Sequence, residues 1–130
     1  MYQIRTDLAL ETQEKMQEDK VDLKGVHFEE EEVGTNLVIS TVVIETENGA
    51  KIMGKPKGTY ITIEAGDMNE EDEGYHREIS TQLAKIIKRL IPIKKEELSV
   101  LVVGLGNRAV TPDSLGPRVV DNLYIRKTFA

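Results

Sequence analysis

Apolar positions along this chain fall into short runs with two different periods. Leu37-Val-Ile-Ser-Thr-Val-Val-Ile44 is dominated by β-branched residues. Such side chains fit a pleated, half-buried surface, so the run predicts a strand. Asn48-Gly49 follows it. That pair supplies the positive φ angles of a tight hairpin, and Lys51-Ile-Met53 is therefore expected as a short returning strand. Gly54-Lys-Pro-Lys-Gly58 interrupts the chain, and Thr59-Tyr-Ile-Thr-Ile-Glu64 then alternates polar with apolar side chains as a half-buried strand does. Gly66-Asp67 closes it.

Beyond this point the period changes. Ile79, Leu83, Ile86, Ile87 and Leu90 recur at helical spacing and define one apolar stripe. The acidic stretch Glu70-Glu-Asp-Glu73 suits the start of that helix, where the backbone dipole favours negative charge. Lys85, Lys88 and Arg89 lie mainly off the stripe towards its end, and Pro92 stops it. Ser99-Val-Leu-Val-Val103 is a continuous apolar run, the pattern of a buried central strand. Leu115, Val119, Val120 and Leu123 mark a last helix. Near the N-terminus, Thr6-Asp7 ahead of Leu8-Ala-Leu-Glu11 caps and opens a helix. Glu29 to Glu32 is a run of like charges, which predicts an exposed loop or strand edge.

Strand–helix–strand alternation makes the expected class α/β, a partly parallel sheet with a β-hairpin and flanking helices. Ile125-Arg-Lys-Thr-Phe-Ala130 begins a further strand that is not completed, and the central strand lacks a neighbour on one side. The expectation is a truncated fold in which residues 1–130 are the N-terminal part of a single domain.

Composition narrows the chemistry. The chain has 130 residues, 39% hydrophobic and 31% charged, with a net charge of −6. An acidic surface repels phosphate backbones, so nucleic acid is not an expected partner. With no cysteine, disulfides, thiolate zinc sites and a cysteine nucleophile are excluded together. No apolar run has the length of a membrane span, and the first residues have no signal-peptide core, so a soluble, cytoplasmic protein without membrane contact is expected. His27 and His76 stand at unrelated positions, which argues against a metal site built on them.

One segment has the residues for a site. Gly104-Leu-Gly106-Asn-Arg-Ala-Val-Thr-Pro-Asp113-Ser-Leu-Gly116-Pro follows the apolar run and precedes the last helix. Open α/β sheets place their sites at this edge. Glycine permits a tight turn and close approach, Asn107 can bridge a turn through its side chain, and Thr111-Pro112 pins the loop. Asp113 has two readings. It is a helix N-cap, accepting backbone N–H bonds, or it is a general base that shares its proton with a second group. No second carboxylate is marked out as that mate. Gly104 to Ala109 also satisfies the loose dinucleotide-binding pattern, with alanine in the third place. A non-enzymatic nucleotide-binding module is thus an alternative. Polar residues and a proline where the helix should run, and no suitable acid about 20 positions on, weaken it.

The segment Gly104 to Pro117 resembles the G-L-G-N-x-x-V-T-P-D-x-L-G-P signature of the germination proteases of spore-forming bacteria. Ile4-Arg-Thr-Asp-Leu-Ala9 looks like that family's opening after its propeptide. Gly54-Lys-Pro-Lys-Gly-Thr-Tyr-Ile-Thr-Ile-Glu64 looks like its G-K-P-x-G-x-Y-I-T-x-E stretch. The matches occur in the family's order over nearly the whole chain. The resemblance implies a fold like that of the hydrogenase-maturation endopeptidases. It implies an atypical aspartic endopeptidase, made as a zymogen and assembled as a homotetramer, that degrades small acid-soluble spore proteins in the spore core during germination. It needs no cofactor or metal. It works through two aspartates, of which Asp113 matches the first, on a loop with Gly104, Gly106, Asn107, Thr111 and Gly116. The second would lie beyond Ala130, so the 130-residue chain alone is expected to be inactive. Only Met1, Tyr2 and Gln3 precede the matching opening, so a long propeptide is not expected here. A metal-dependent maturation-type endopeptidase, with Asp113 as a ligand, is a further alternative.

Overall fold

The computed structural model describes residues 8–11, 24–34, 36–66, 73–92 and 98–123. The chain divides into two units, Met1–Lys85 and Ile86–Ala130. The first unit holds a three-stranded sheet of β1 (Val26–Val33), β2 (Leu37–Ile44) and β3 (Gly58–Ala65), in that spatial order. Both pairings are antiparallel. Val26 faces Ile44 and Val33 faces Leu37, while Leu37 faces Ala65 and Ile44 faces Gly58.

This register explains the core. Directly opposed residues share a face of the sheet, so Phe28, Val42 and Tyr60 form one row and Val26 with Ile44 the next on the same face. Val42 and Ile44 are 1% exposed and cluster with Ala9 and Met53, while Val26, Ala50 and Tyr60 pack against them. Leu37 and Ile39, on the opposite face of β2, are buried too. A strand buried on both faces has little room for polar residues, which is why its sequence reads as a near-continuous apolar run. Ser40 and Thr41 are the exceptions, and Ser40 is the one fully buried. Its hydroxyl is buried and donates to the Glu30 carboxylate across the pair, at 3.3 Å.

The acidic run Glu29–Glu32 lies within β1, an edge strand, and is exposed as expected. Charges on an edge discourage pairing with other chains.

The hairpin expected at Asn48-Gly49 does not form. Residues Glu47–Met53 are instead a helix, α1, and no strand occurs at Lys51–Met53. Thr46 is extended and caps the helix, its Oγ1 accepting from the Gly49 N–H at 3.0 Å. Gly54 ends it in the left-handed region, φ 62°, with its own N–H directed to the carbonyls of Ala50 and Lys51. The positive φ therefore falls on Gly54 rather than Gly49. Gly49 meets a different demand. A Cβ there would lie 3.0 Å from a Val26 methyl and 3.1 Å from the Gly25 carbonyl oxygen. The hairpin of this sheet is instead formed by β1 and β2, with Gly34 at φ 63° just after β1.

Helix α2 (Glu73–Leu90) forms as its periodicity predicts. The Ile91 N–H still reaches the Ile87 carbonyl at 3.1 Å before Pro92 ends the pattern. Its apolar stripe is mostly uncovered: Ile86 is buried, whereas Leu83, Ile87 and Leu90 are exposed. The expected features at Thr6-Asp7, Glu70–Asp72 and Ile125–Ala130 lie outside the described residues.

In the second unit the buried strand expected at Ser99–Val103 is not formed. These residues belong to no helix or strand, and Leu101 and Val103 are 88% and 64% exposed. An inner parallel strand takes its hydrogen bonds from neighbours on both sides. Among the described residues the sheet is wholly antiparallel and consists of β1, β2 and β3, and this run forms no ladder. The molecule is thus α/β in content, with an antiparallel sheet in place of the expected partly parallel one. A short 3₁₀ turn (Thr111–Asp113) and helix α3 (Leu115–Asp121) follow, the latter as its apolar spacing predicts.

Candidate active site

The loop from Gly104 to Gly116 folds back on itself. Backbone at residues 104–106 lies directly against backbone at residues 113 and 116. A Cβ at Gly104 would fall 2.1 Å from the Gly116 carbonyl oxygen, and one at Gly116 would fall 2.2 Å from that of Leu105. Gly106 combines φ 146° with a Cβ position 2.0 Å from the Asp113 carbonyl oxygen. Real Cβ atoms do not approach backbone so closely. The crossing therefore requires hydrogen at all three positions, the close-approach use of glycine.

Hydrogen bonds hold what the glycines allow. The Asn107 N–H donates to the Asp113 carbonyl at 2.8 Å, and the Asp113 N–H donates to the Val110 carbonyl at 3.0 Å. Asn107 also bridges forward, its Oδ1 accepting from the Ala109 N–H at 2.9 Å. Thr111 opens the 3₁₀ turn, and its carbonyl accepts from the Ser114 hydroxyl at 2.9 Å. Ser114 is buried, and its Oγ accepts in turn from Arg118 Nε at 3.1 Å. Arg108 makes a two-pronged pair with Asp121, Nη1 to Oδ2 and Nη2 to Oδ1, the second at 2.8 Å. This pair holds the Asp121 carboxyl below its ordinary value, chiefly through the hydrogen bond from Arg108, and raises Arg108 by the same bond.

All six residues expected at the site, Gly104, Gly106, Asn107, Thr111, Asp113 and Gly116, are thus gathered in one turn. The N-cap reading of Asp113 does not hold. Ser114 occupies the cap position of α3, with no side-chain cap bond, and Asp113 lies in the preceding turn. Both of its backbone groups are engaged, while its side chain is exposed and has no hydrogen-bond or ion-pair partner among the described residues. A carboxylate held by its backbone and open at its oxygens can accept a proton or a hydrogen bond from an incoming group.

The sequence reading missed the Arg108–Asp121 pair and the buried Ser114. Ser114 and Arg118 stand four apart in the run into a helix, a spacing that brings side chains together. Arg108 and Asp121 come together only through the fold of the turn. Among the described residues no three His, Asp or Glu side chains form a metal-holding group, and no helix is long and apolar enough to cross a membrane.

The elements and the turn define an α/β protein with an exposed carboxylate on a glycine-crossed loop just ahead of a helix. The profile of the germination protease family matches residues 4–129, and the chain belongs to that family. It is 47% identical over 124 residues to a germination protease of Caldanaerobacter subterraneus subsp. tengcongensis, covering 95% of this chain and 37% of the relative. It is 43% identical over 129 residues to one of Clostridium perfringens, covering 98% and 39%. With one of Priestia megaterium it shares 42% identity over 137 residues, covering 97% and 36%. The chain thus spans between a third and two fifths of the length of these relatives.

Proposed function

We propose that this chain is the N-terminal part of a spore germination endopeptidase and that Asp113 is one of its two catalytic carboxylates. The observation that carries the reading is the state of Asp113. Its backbone is held at both N–H and carbonyl, and its carboxylate projects unpartnered from a fixed turn. Such preorganisation suits a group that must meet substrate in one geometry.

In the proposed mechanism Asp113 and a second aspartate from beyond Ala130 share one proton, because two close carboxylates do not both ionise readily. The ionised member takes a proton from water. That water attacks the scissile carbonyl while the protonated member donates to the carbonyl oxygen. The substrates are small acid-soluble spore proteins, the working form is a homotetramer, and the setting is the spore core. In the full-length protein Ser99–Val103 becomes an inner strand of a parallel sheet like that of the hydrogenase-maturation endopeptidases. Its exposed valines and leucine would be covered there, and Asp113 would stand at the C-terminal edge of the sheet.

The test is Asp113→Asn in the full-length protein. This change preserves shape and removes the ionisable group. Cleavage of small acid-soluble spore proteins is expected to fall by at least about 1000-fold with folding intact. Turnover within tenfold of the parent would overturn the assignment. Activity that survives in the parent after exhaustive chelation supports the metal-free dyad, whereas chelator-sensitive activity favours a metal held by Asp113.

A further inference from the structure

The turn that presents Asp113 has little apolar anchorage. Between Gly104 and Asp121 the buried residues are Ser114 and Pro117, while Leu105, Val110 and Leu115 are exposed. Hydrophobic packing therefore does not set the position of this loop. Its shape is set by backbone bonds and by polar side chains.

Those polar links form two fastenings. On the inner side, Ser114 Oγ donates to the Thr111 carbonyl and accepts from Arg118 Nε, which ties the 3₁₀ turn to the first turns of α3. On the outer side, Arg108 follows Asn107, the residue whose N–H holds the Asp113 carbonyl, and it reaches Asp121 at the end of α3. The second link spans thirteen residues of sequence and closes a ring that contains the whole Asp113 turn. A guanidinium facing a carboxylate through two parallel N–H bonds fixes orientation as well as separation.

We propose that Arg108 and Asp121 are a positioning pair that keeps the Asp113 carboxylate in its presenting geometry. This rests on the reading of Asp113 as a reacting group. The pair does not touch substrate. It acts by keeping residue 107 in place, so that the Asn107 N–H stays on the Asp113 carbonyl and the side chain leaves the turn in one direction.

Both partners are largely exposed, so the pair is screened by solvent and its effect is modest. In the full-length protein, Arg108→Ala and Asp121→Ala are each expected to lower kcat about fivefold with KM unchanged. The exchanged double variant, Arg108→Asp with Asp121→Arg, is expected to restore kcat to within about twofold of the parent. Arg108→Lys keeps the charge and loses the fork, and it should fall between the two. Amide exchange at Asn107 should quicken in the single variants and slow again in the exchanged one.

Asp113→Asn, measured alongside, separates the outcomes. If it retains turnover, Asp113 is not a reacting group and the positioning role falls with it. If it is inactive while Arg108→Ala keeps the parent kcat, the pair alone is refuted. A loss that appears in KM, or one that the exchanged variant does not recover, also refutes the pair, because direct substrate contact or general damage would then account for it.

Discussion

At the residue scale, glycine serves two distinct ends in this chain, and substitution should tell them apart. Gly54 ends α1 at φ 62°, with no atom near the position of an added Cβ. Gly54→Ala should therefore cost only the left-handed strain of an alanine, about 1 kcal/mol, seen as a small shift in urea unfolding. Gly106 combines its positive φ with a backbone carbonyl in the place of a side chain. Gly106→Ala must push residues 106 and 113 apart, and a cost of about 3 kcal/mol is expected, with loss of protection at the Asn107 amide. Equal effects at the two sites would contradict the crossing described above. The sequence pattern marked Gly104, Gly106 and Gly116 as turn glycines. It could not say that they face one another, because that contact joins positions about ten residues apart.

At the scale of elements, the segment Glu47–Met53 shows how local signals compete. Asn-Gly is a strong hairpin signal, but it acts only if the residues on either side can pair. Here β2 is already paired with β1 and β3 along its whole length, and no edge of it remains for Lys51–Met53. The helix uses the same residues better. Thr46 satisfies an N-terminal N–H, Glu47 faces the positive end of the dipole, Met53 is buried, and Gly54 closes the end. The cap signal was present in the sequence as Thr46 before Glu47 and a glycine after Met53. Thr46→Ala should cost about 1 kcal/mol in the urea-unfolding free energy, with most of the change in the helical signal. No change at all would mean that the cap bond adds nothing. Helix α2 had no such competitor, and its stripe and Pro92 placed it correctly from sequence alone.

At the scale of the whole molecule, acid should act on the Asp113 turn through Asp121. The folded structure lowers the Asp121 carboxyl below its ordinary value of 3.8, mainly by the Arg108 hydrogen bond. A group depressed in this way favours the folded turn above its unfolded value, and the contribution is lost as pH falls through its folded value. Arg108 is raised, so its share persists up to the strongly alkaline range. From neutral pH down to mild acid the turn should therefore stay closed, and below the ordinary carboxylate value it should open. Down to about pH 5.0 the net charge of −6 is titrated away and self-repulsion eases; in stronger acid the 17 Lys and Arg leave the chain positive and repulsion returns. Amide signals of Asn107 and Asp113 followed into strong acid should move together below that value. Movement at pH 5 to 6 would contradict the assignment.

Periodicity and turn chemistry are local properties, and they were enough to determine β2, β3, the run of α2 and α3, and the loop that gathers Asp113 with its glycines. Pairing is not local. Whether an apolar run becomes a strand depends on which neighbours it pairs with, and Ser99–Val103 is in no strand among the described residues. The same non-local condition turned Glu47–Met53 from hairpin to helix and joined Arg108 to Asp121. Tertiary structure alone decided those outcomes, because each rests on a contact between segments whose local pattern carries no record of the other.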